Sequence, residues 1–339
     1  MKFIDHKEKV TLVILVTLTL VSVTVSAYLA LNQTCTNIRT CANESIGVIN
    51  TGGNIDPKFK EKYEGLKNKI GDYDVISYDP PMHTGNLTLA DWNEIVKDIA
   101  KMYNKYDAFV LLASHDTIPY TASALAFMLE NLGKPIVITD GDLSEALVLA
   151  SQTRIPEVMI ASDGKLLRGS RTIANSAKGF SSPNYPVMDK NTGYPLPKES
   201  FQPKMVDPNK KIDVIKLYPG MNAEDLAPYL NKKGLHGIIL ELWGSGESPV
   251  SSKFLKVINA LAKKGIVIVA VSQYDHAGGS QEIDIRLLEA GVLSGYDMTT
   301  PAAYAKLAFL LGNVEDKKLI GKLMDVIFHE EMSPNNTSI

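Results

Sequence analysis

From residue 45 onward the chain alternates between two hydrophobic rhythms. Short, nearly continuous apolar runs rich in β-branched residues occupy 46–50, 75–78, 108–112, 136–139 and 158–161. Runs of this kind are what strands buried on both faces of a parallel sheet require. Between them, residues 59–69, 90–104, 121–132 and 144–154 carry apolar side chains at helical spacing. Strict alternation predicts an α/β domain whose parallel sheet is covered on both faces, in the Rossmann-like manner. Residues 178–211 break the rhythm with prolines and polar residues, which reads as a long crossing loop or linker. Beyond it the alternation resumes on a smaller scale. Strands are predicted at 212–217, 237–243 and 266–271, and helices at 224–232, 252–264, 282–290 and 301–311.

The first thirty residues follow neither rhythm. Residues 10–31 are uncharged, rich in Val, Leu and Thr, and long enough to cross a bilayer as a helix. Lys2, Lys7 and Lys9 precede this run, and the first basic residue after it is Arg39. The positive-inside rule therefore leaves the amino terminus cytoplasmic and places everything after Leu31 outside the cell or in a lumen. A cleaved signal peptide is the alternative, since Val25-Ser26-Ala27 is a small-residue cleavage pattern. The expected layout is a cytoplasmic tail (1–9), a transmembrane signal anchor (10–31) and a juxtamembrane stalk (32–45). A large α/β domain (46–186), a linker (187–211), a small α/β domain (212–330) and a tail (331–339) follow.

Composition adds little to this picture. The 339 residues are 45% hydrophobic and 22% charged, with a formal charge of −3 and no dense Lys/Arg stripe, so a nucleic-acid partner is not expected. Cys35 and Cys41 flank a short loop just beyond the apolar run. An oxidising compartment would pair them, and two free thiols in a stalk are the alternative. Asn32, Asn43, Asn86 and Asn335 each open an Asn-x-Ser/Thr triplet, the glycosylation acceptor pattern. The six histidines are scattered and no H-E-x-x-H occurs, so neither a metal nor a cofactor is expected. Nucleotide-binding glycine patterns and the G-x-S-x-G elbow are also missing.

Sites in open α/β sheets form in the loops beyond the carboxyl ends of the strands. Here those loops carry Thr51-Gly52-Gly53-Asn54 after the first strand and Ser114-His115-Asp116-Thr117 after the third. Each is an ordinary turn when taken singly. Together with Tyr120-Thr121-Ala122-Ser123-Ala124-Leu125, Phe127-Met128-Leu129-Glu130-Asn131 and Leu166-Leu167-Arg168-Gly169-Ser170-Arg171-Thr172 they form a pattern. Gly179-Phe180-Ser181-Ser182-Pro183, Tyr218-Pro219-Gly220 and Asp297-Met298-Thr299-Thr300 extend it into the second half. The whole resembles the bacterial-type L-asparaginase/glutaminase family, closer to its type I branch, across roughly residues 46–330.

The resemblance implies hydrolysis of L-asparagine, and often L-glutamine, by two threonines assisted by a Lys–Asp pair. It also implies dimers or tetramers, with a site completed by a neighbouring subunit. Carried onto this chain, the first threonine falls on Asn54, the second on His115 and the lysine on Ala174; only the aspartate is kept, as Asp116. An amide, an imidazole and a methyl group stand where acyl transfer needs hydroxyls and an amine. The substrate pocket would comprise Gly53, Thr84, Gly85, Asp116 and, from the small domain, Glu247 at the position of an expected asparagine. The loop between Thr139 and Leu143 is shorter than the family's. Three functions follow as expectations: a membrane-tethered pseudoenzyme with a structural, surface or interaction role and a protein partner not defined by the sequence; an amidohydrolase rebuilt around Thr51, Ser114 or Thr117 with His115 as base; and an amino-acid-binding module around Thr84 and Asp116.

Overall fold

The computed structural model describes residues 45–52, 70–82, 86–175, 179–183, 187–189, 194–244, 248–274 and 283–333. The expected membrane span (10–31), both cysteines, Asn32, Asn43, Asn335 and the helix expected at 59–69 lie outside these residues. Among the described residues no helix is long and apolar enough to cross a membrane.

In the first half, strands β1 (Ser45–Asn50), β2 (Asp72–Ser77) and β3 (Ala108–Leu112) are joined by helix α1 (Leu89–Met102). Helix α2 (Ile118–Met128), the short strand β4 (Leu129–Glu130), β5 (Ile136–Thr139) and α3 (Leu143–Gln152) follow. Strands β6 (Val158–Ser162) and β7 (Lys165–Arg168) complete a six-stranded sheet of order β2-β1-β3-β5-β6-β7. All neighbours are parallel except β6 and β7, so the uniformly parallel sheet expected from the sequence is corrected at one edge. A two-residue turn at Asp163 and Gly164 makes that reversal, both with positive φ. Thr88 starts α1 through a capping box with Asp91, and the helix buries only the face carrying Trp92, Ile95, Val96 and Ile99.

Two short antiparallel pairs lie outside the main sheets: β8 (Ile173–Asn175) with β9 (Gly179–Ser181), and β10 (Gln202–Pro203) with β4. The second sheet, β11 (Lys211–Lys216), β12 (Leu235–Leu242), β13 (Val267–Ser272) and β14 (Val292–Ser294), is parallel throughout. Its helices are α4 (Ala223–Leu226), α5 (Ser252–Lys263), α6 (Ile285–Glu289), α7 (Thr300–Asn313) and α8 (Lys317–Met324). The expected helix at 224–232 is divided: α4 gives way to a 3₁₀ turn at Ala227–Asn231 that carries Pro228 in its first turn.

The two sheets share a core. Helix α2 buries every residue but Tyr120 and Ala126, which accounts for its lack of a polar face. It lies between the first sheet and α7 of the second, with Phe127 stacked against Phe309 (6.3 Å) and Tyr120 edge-on to Tyr304 (5.7 Å). One continuous apolar cluster therefore runs from Trp92, Phe127 and Ile138 to Ile239, Leu307 and Leu310.

A carboxy-terminal strap, residues 325–333, fastens the same junction. Lys306 of α7 is wholly buried and donates to the carbonyls of Met324 (3.0 Å) and Val326 (2.6 Å) and to the Glu331 carboxylate (2.7 Å). Burial pulls the Lys306 ammonium below the usual lysine range, against the pull of Glu331. Glu331 also accepts the amides of Phe328 (3.0 Å) and His329 (2.8 Å). Glu331 and Met332 are buried, so the first residues of the tail expected at 331–339 are packed, and residues 334–339 lie outside the described residues.

Candidate functional site

Strands β1, β3 and β5 end level with one another. The Thr51 amide donates to the Leu112 carbonyl and the Ala113 amide to the Thr139 carbonyl, both at 3.0 Å. Continued ladder pairing brings the loops starting at Gly52, Ser114 and Asp140 side by side. Gly52 has φ 131°, and a Cβ there would stand 3.2 Å from the Met82 carbonyl oxygen, so this turn requires glycine. Gly53, Asn54, Thr84, Gly85 and Glu247 lie outside the described residues.

His115 is the centre of what remains. It opens a single 3₁₀ turn, His115–Thr117, that leads into α2. Its Nδ1 stands 2.6 Å from Oδ2 of Asp140, and both side chains are about one-third exposed. The Phe180 ring of β9 covers it at a centroid distance of 4.5 Å. Across that hairpin Ala174 is the register partner of Phe180 and is exposed. The structure thus brings His115 and the strand that carries Ala174 to one place. Asp140 and Phe180, now seen to hold His115, were visible in the sequence only as members of their loops. The pairing of a histidine with a carboxylate 25 residues away has no local signature.

The three hydroxyls are placed differently. Thr51 is buried and its Oγ1 donates to the Leu112 carbonyl at 3.0 Å. Thr117 Oγ1 donates to the Ser114 carbonyl at 3.2 Å. Ser114 and Asp116 make no side-chain hydrogen bond among the described residues, and none of these groups bonds to the His115 ring. Beside this constellation lies an open cleft of about 390 Å³ lined by Asp140, Asp142, Glu145, Asp163 and Phe180. Asp142 caps α3 by accepting the amides of Ser144 (3.0 Å) and Glu145 (3.1 Å), and Glu145 accepts the Gly164 amide. The cleft is strongly acidic. Among the described residues no group of three His, Cys, Asp or Glu side chains is arranged to hold a metal ion. Asn86 is exposed at the start of the segment leading to α1.

One mainly parallel and one wholly parallel sheet, joined through a shared helical layer, define a two-domain α/β protein. Residues 45–194 match the family described as "Asparaginase, N-terminal", and residues 211–324 match "Glutaminase/Asparaginase C-terminal domain". The chain is 32% identical over 318 residues to L-asparaginase 1 of Escherichia coli (strain K12), covering 86% of this chain and 94% of that protein. It is 33% identical over 288 residues to a 60 kDa lysophospholipase of Mus musculus, covering 74% of this chain and 50% of that protein. The solved L-asparaginase I from Vibrio cholerae matches with a TM-score of 0.78 at 32% identity, covering 86% of this chain and all of that one. The thermostable L-asparaginase from Thermococcus kodakarensis matches at 24% identity with a TM-score of 0.71, a likeness of fold. The chain belongs to the asparaginase/glutaminase family.

Proposed function

We propose that this family member has given up amide hydrolysis and serves, tethered through residues 10–31 with its globular part outside the cytosol, as a surface, structural or interaction protein. The observation that carries this reading is the His115–Asp140 pair under Phe180. An imidazole stands at the position of the second hydroxyl, and its Nδ1 is engaged by a carboxylate 2.6 Å away. Ala174, on the neighbouring hairpin, offers a methyl group where the lysine would act. Acyl transfer needs a nucleophile within reach of its base, and the described hydroxyls spend their protons on backbone carbonyls or stand apart from the ring. The acid-lined cleft adds an electrostatic argument, because it repels the carboxylate of an amino-acid substrate. Homodimers or homotetramers, and glycosylation at Asn32, Asn43, Asn86 and Asn335, belong to the same reading. So does a Cys35–Cys41 disulfide.

A rebuilt hydrolase is the second reading, favoured by the same pair. A carboxylate on Nδ1 fixes the imidazole tautomer and would present Nε2 as a general base. Ammonia release from L-asparagine and L-glutamine by the purified protein separates the two. The proposal expects no release above a heat-killed control. Robust release that disappears in Ser114→Ala or His115→Ala would overturn it in favour of the rebuilt enzyme.

A further inference from the structure

At the opposite end of the first sheet from His115, beside the amino end of β6, a cavity of about 530 Å³ opens between three parts of the chain. Its floor is the end of α2 and the start of β6, one side is the segment after β9 with Pro195 and Pro197, and the other is the carboxy-terminal strap. Small-molecule sites are typically 300–1,000 Å³, mostly apolar, with few polar groups, and often lie where domains meet. This cavity fits in volume and in its place between elements of both domains, and its lining mixes an apolar floor with a substantial set of polar side chains.

Its polar groups are specific. Arg168 is only 3% exposed and is held by Glu157 in a two-point contact, Nε at 2.6 Å and Nη2 at 2.9 Å. His329 stands on the strap, and burial keeps its imidazole below the ordinary histidine range, so it is uncharged at neutral pH. Asn131 and Glu330 complete the set. Both have positive φ, 57° and 54°, and they are two of four such non-glycine residues in the described chain. A glutamate in the left-handed region persists only where its surroundings over-determine it. Here they do: the Glu330 carbonyl accepts Arg171 Nε, the His329 carbonyl accepts the Ser170 hydroxyl at 2.8 Å, and the next residue is the buried Glu331. Asn131 and Glu330 both line the cavity, and of the two only the glutamate is a residue that rarely adopts this conformation.

The charges choose the ligand. Arg168 and Glu157 neutralise one another, Glu130 nearby is engaged by Lys204 at 2.8 Å, and His329 is neutral. Among the described residues that line the cavity, the Glu330 carboxylate is left as the unbalanced charge, while Phe328 and the prolines supply flat apolar walls. We infer that this cavity binds a small organic cation with an apolar ring body, such as an aromatic amine, with the ammonium directed at Glu330 and the ring between Phe328 and the prolines. The inference is independent of whether the His115 site turns over any substrate.

Calorimetric titration of the full chain with tryptamine, tryptophol and indole-3-propionate holds the ring constant and varies only the charge. Tryptamine is expected to bind at least tenfold more tightly than tryptophol, with indole-3-propionate weakest. Glu330→Gln, at an exposed side chain, should weaken tryptamine several-fold and leave tryptophol unchanged. Ala126→Trp, which fills the floor, should abolish both. Equal affinity for the three compounds, no binding by any, or tryptamine binding untouched by Glu330→Gln would each overturn the proposal, whether or not the tryptophan variant folds.

Discussion

Arg171 and Asp297, 126 residues apart and from different domains, meet at 2.9 Å with side chains 2% and 5% exposed. Asp297 also accepts the Ser333 amide (2.7 Å) and hydroxyl (2.6 Å), so one carboxylate joins the strand end of one sheet to the strap that crosses the other. Removing one partner of a buried ion pair leaves the other charge without compensation. Arg171→Met should therefore cost about 3–5 kcal/mol. Urea unfolding of this variant, against one that also carries Asp297→Leu, should show the double change to be less damaging than the single. Equal stability of wild type and Arg171→Met would remove the pair from any account of domain docking.

The strap also makes stability depend on acidity. The His329 imidazole has its pKa lowered by burial, so in the window between its folded value and the ordinary histidine value the unfolded chain binds more protons. Stability then rises with pH through that window and is lost as pH falls through it. His329→Gln should show a shallower decline in melting temperature between pH 7 and pH 5 than wild type. Parallel curves for the two proteins would contradict this.

Gly169 sits where α2 crosses the edge of the sheet, and a Cβ there would stand 2.9 Å from the Val158 carbonyl oxygen and from the Ala122 methyl group. Neither neighbour is a flexible side-chain end. Gly169→Ala is expected to destabilise by about 1–3 kcal/mol, whereas Gly141→Ala, with nothing within 4 Å of its Cβ, should be near neutral. Thermal melts of the two variants side by side provide the check.

On the proposed reading of an inactive site, placing family residues at the three positions should not produce activity. Asn54→Thr, His115→Thr and Ala174→Lys together would supply hydroxyls and an amine, yet Asp140, the acidic cleft and the short loop from Thr139 to Leu143 would remain. Groups that act as a unit yield little when the rest of the unit is wrong. Ammonia release by the triple variant is expected to stay close to background. A rate typical of an amidohydrolase, roughly 1–1,000 s⁻¹, would show that three side chains alone separate this chain from an enzyme.

Topology has its own test. Protease added to intact cells should digest the globular part and leave only a small amino-terminal fragment within the membrane. Full protection of residues 32–339 would place them in the cytosol.

Much of this fold was legible in the sequence because its strands are buried on both faces. The expected runs at 108–112 and 136–139 coincide with β3 and β5. The antiparallel β7 was not separable, since Lys165–Arg168 is too short to show a period, and its direction is set by a turn with positive φ at Asp163 and Gly164. The helix expected at 121–132 ends at Met128 because Leu129 and Glu130 leave it to pair with Gln202 and Pro203. In the site, His115 and Ala174 were singled out by motif spacing, and the structure places His115 and the strand of Ala174 next to one another. The partners Asp140 and Phe180 were not singled out, because strand register joins the Asp140 loop to that of His115 and a ring contact from a separate pair of strands brings in Phe180. The strap's buried Lys306–Glu331 pair is likewise invisible locally, since charged residues read as surface until their partner is known.

The layer shared by α2 and α7 constrains how the chain can be made. Synthesis runs from the amino terminus, so α1 and α2 emerge while the helix that covers them is still untranslated. Until Thr300–Asn313 has left the ribosome, the face of α2 bearing Tyr120 and Phe127 has no native cover. The face of α2 that α7 covers in the finished fold stays open from the synthesis of Met128 until that of Thr300. Maturation of the protein is therefore tied to chain completion and to whatever protects that surface meanwhile.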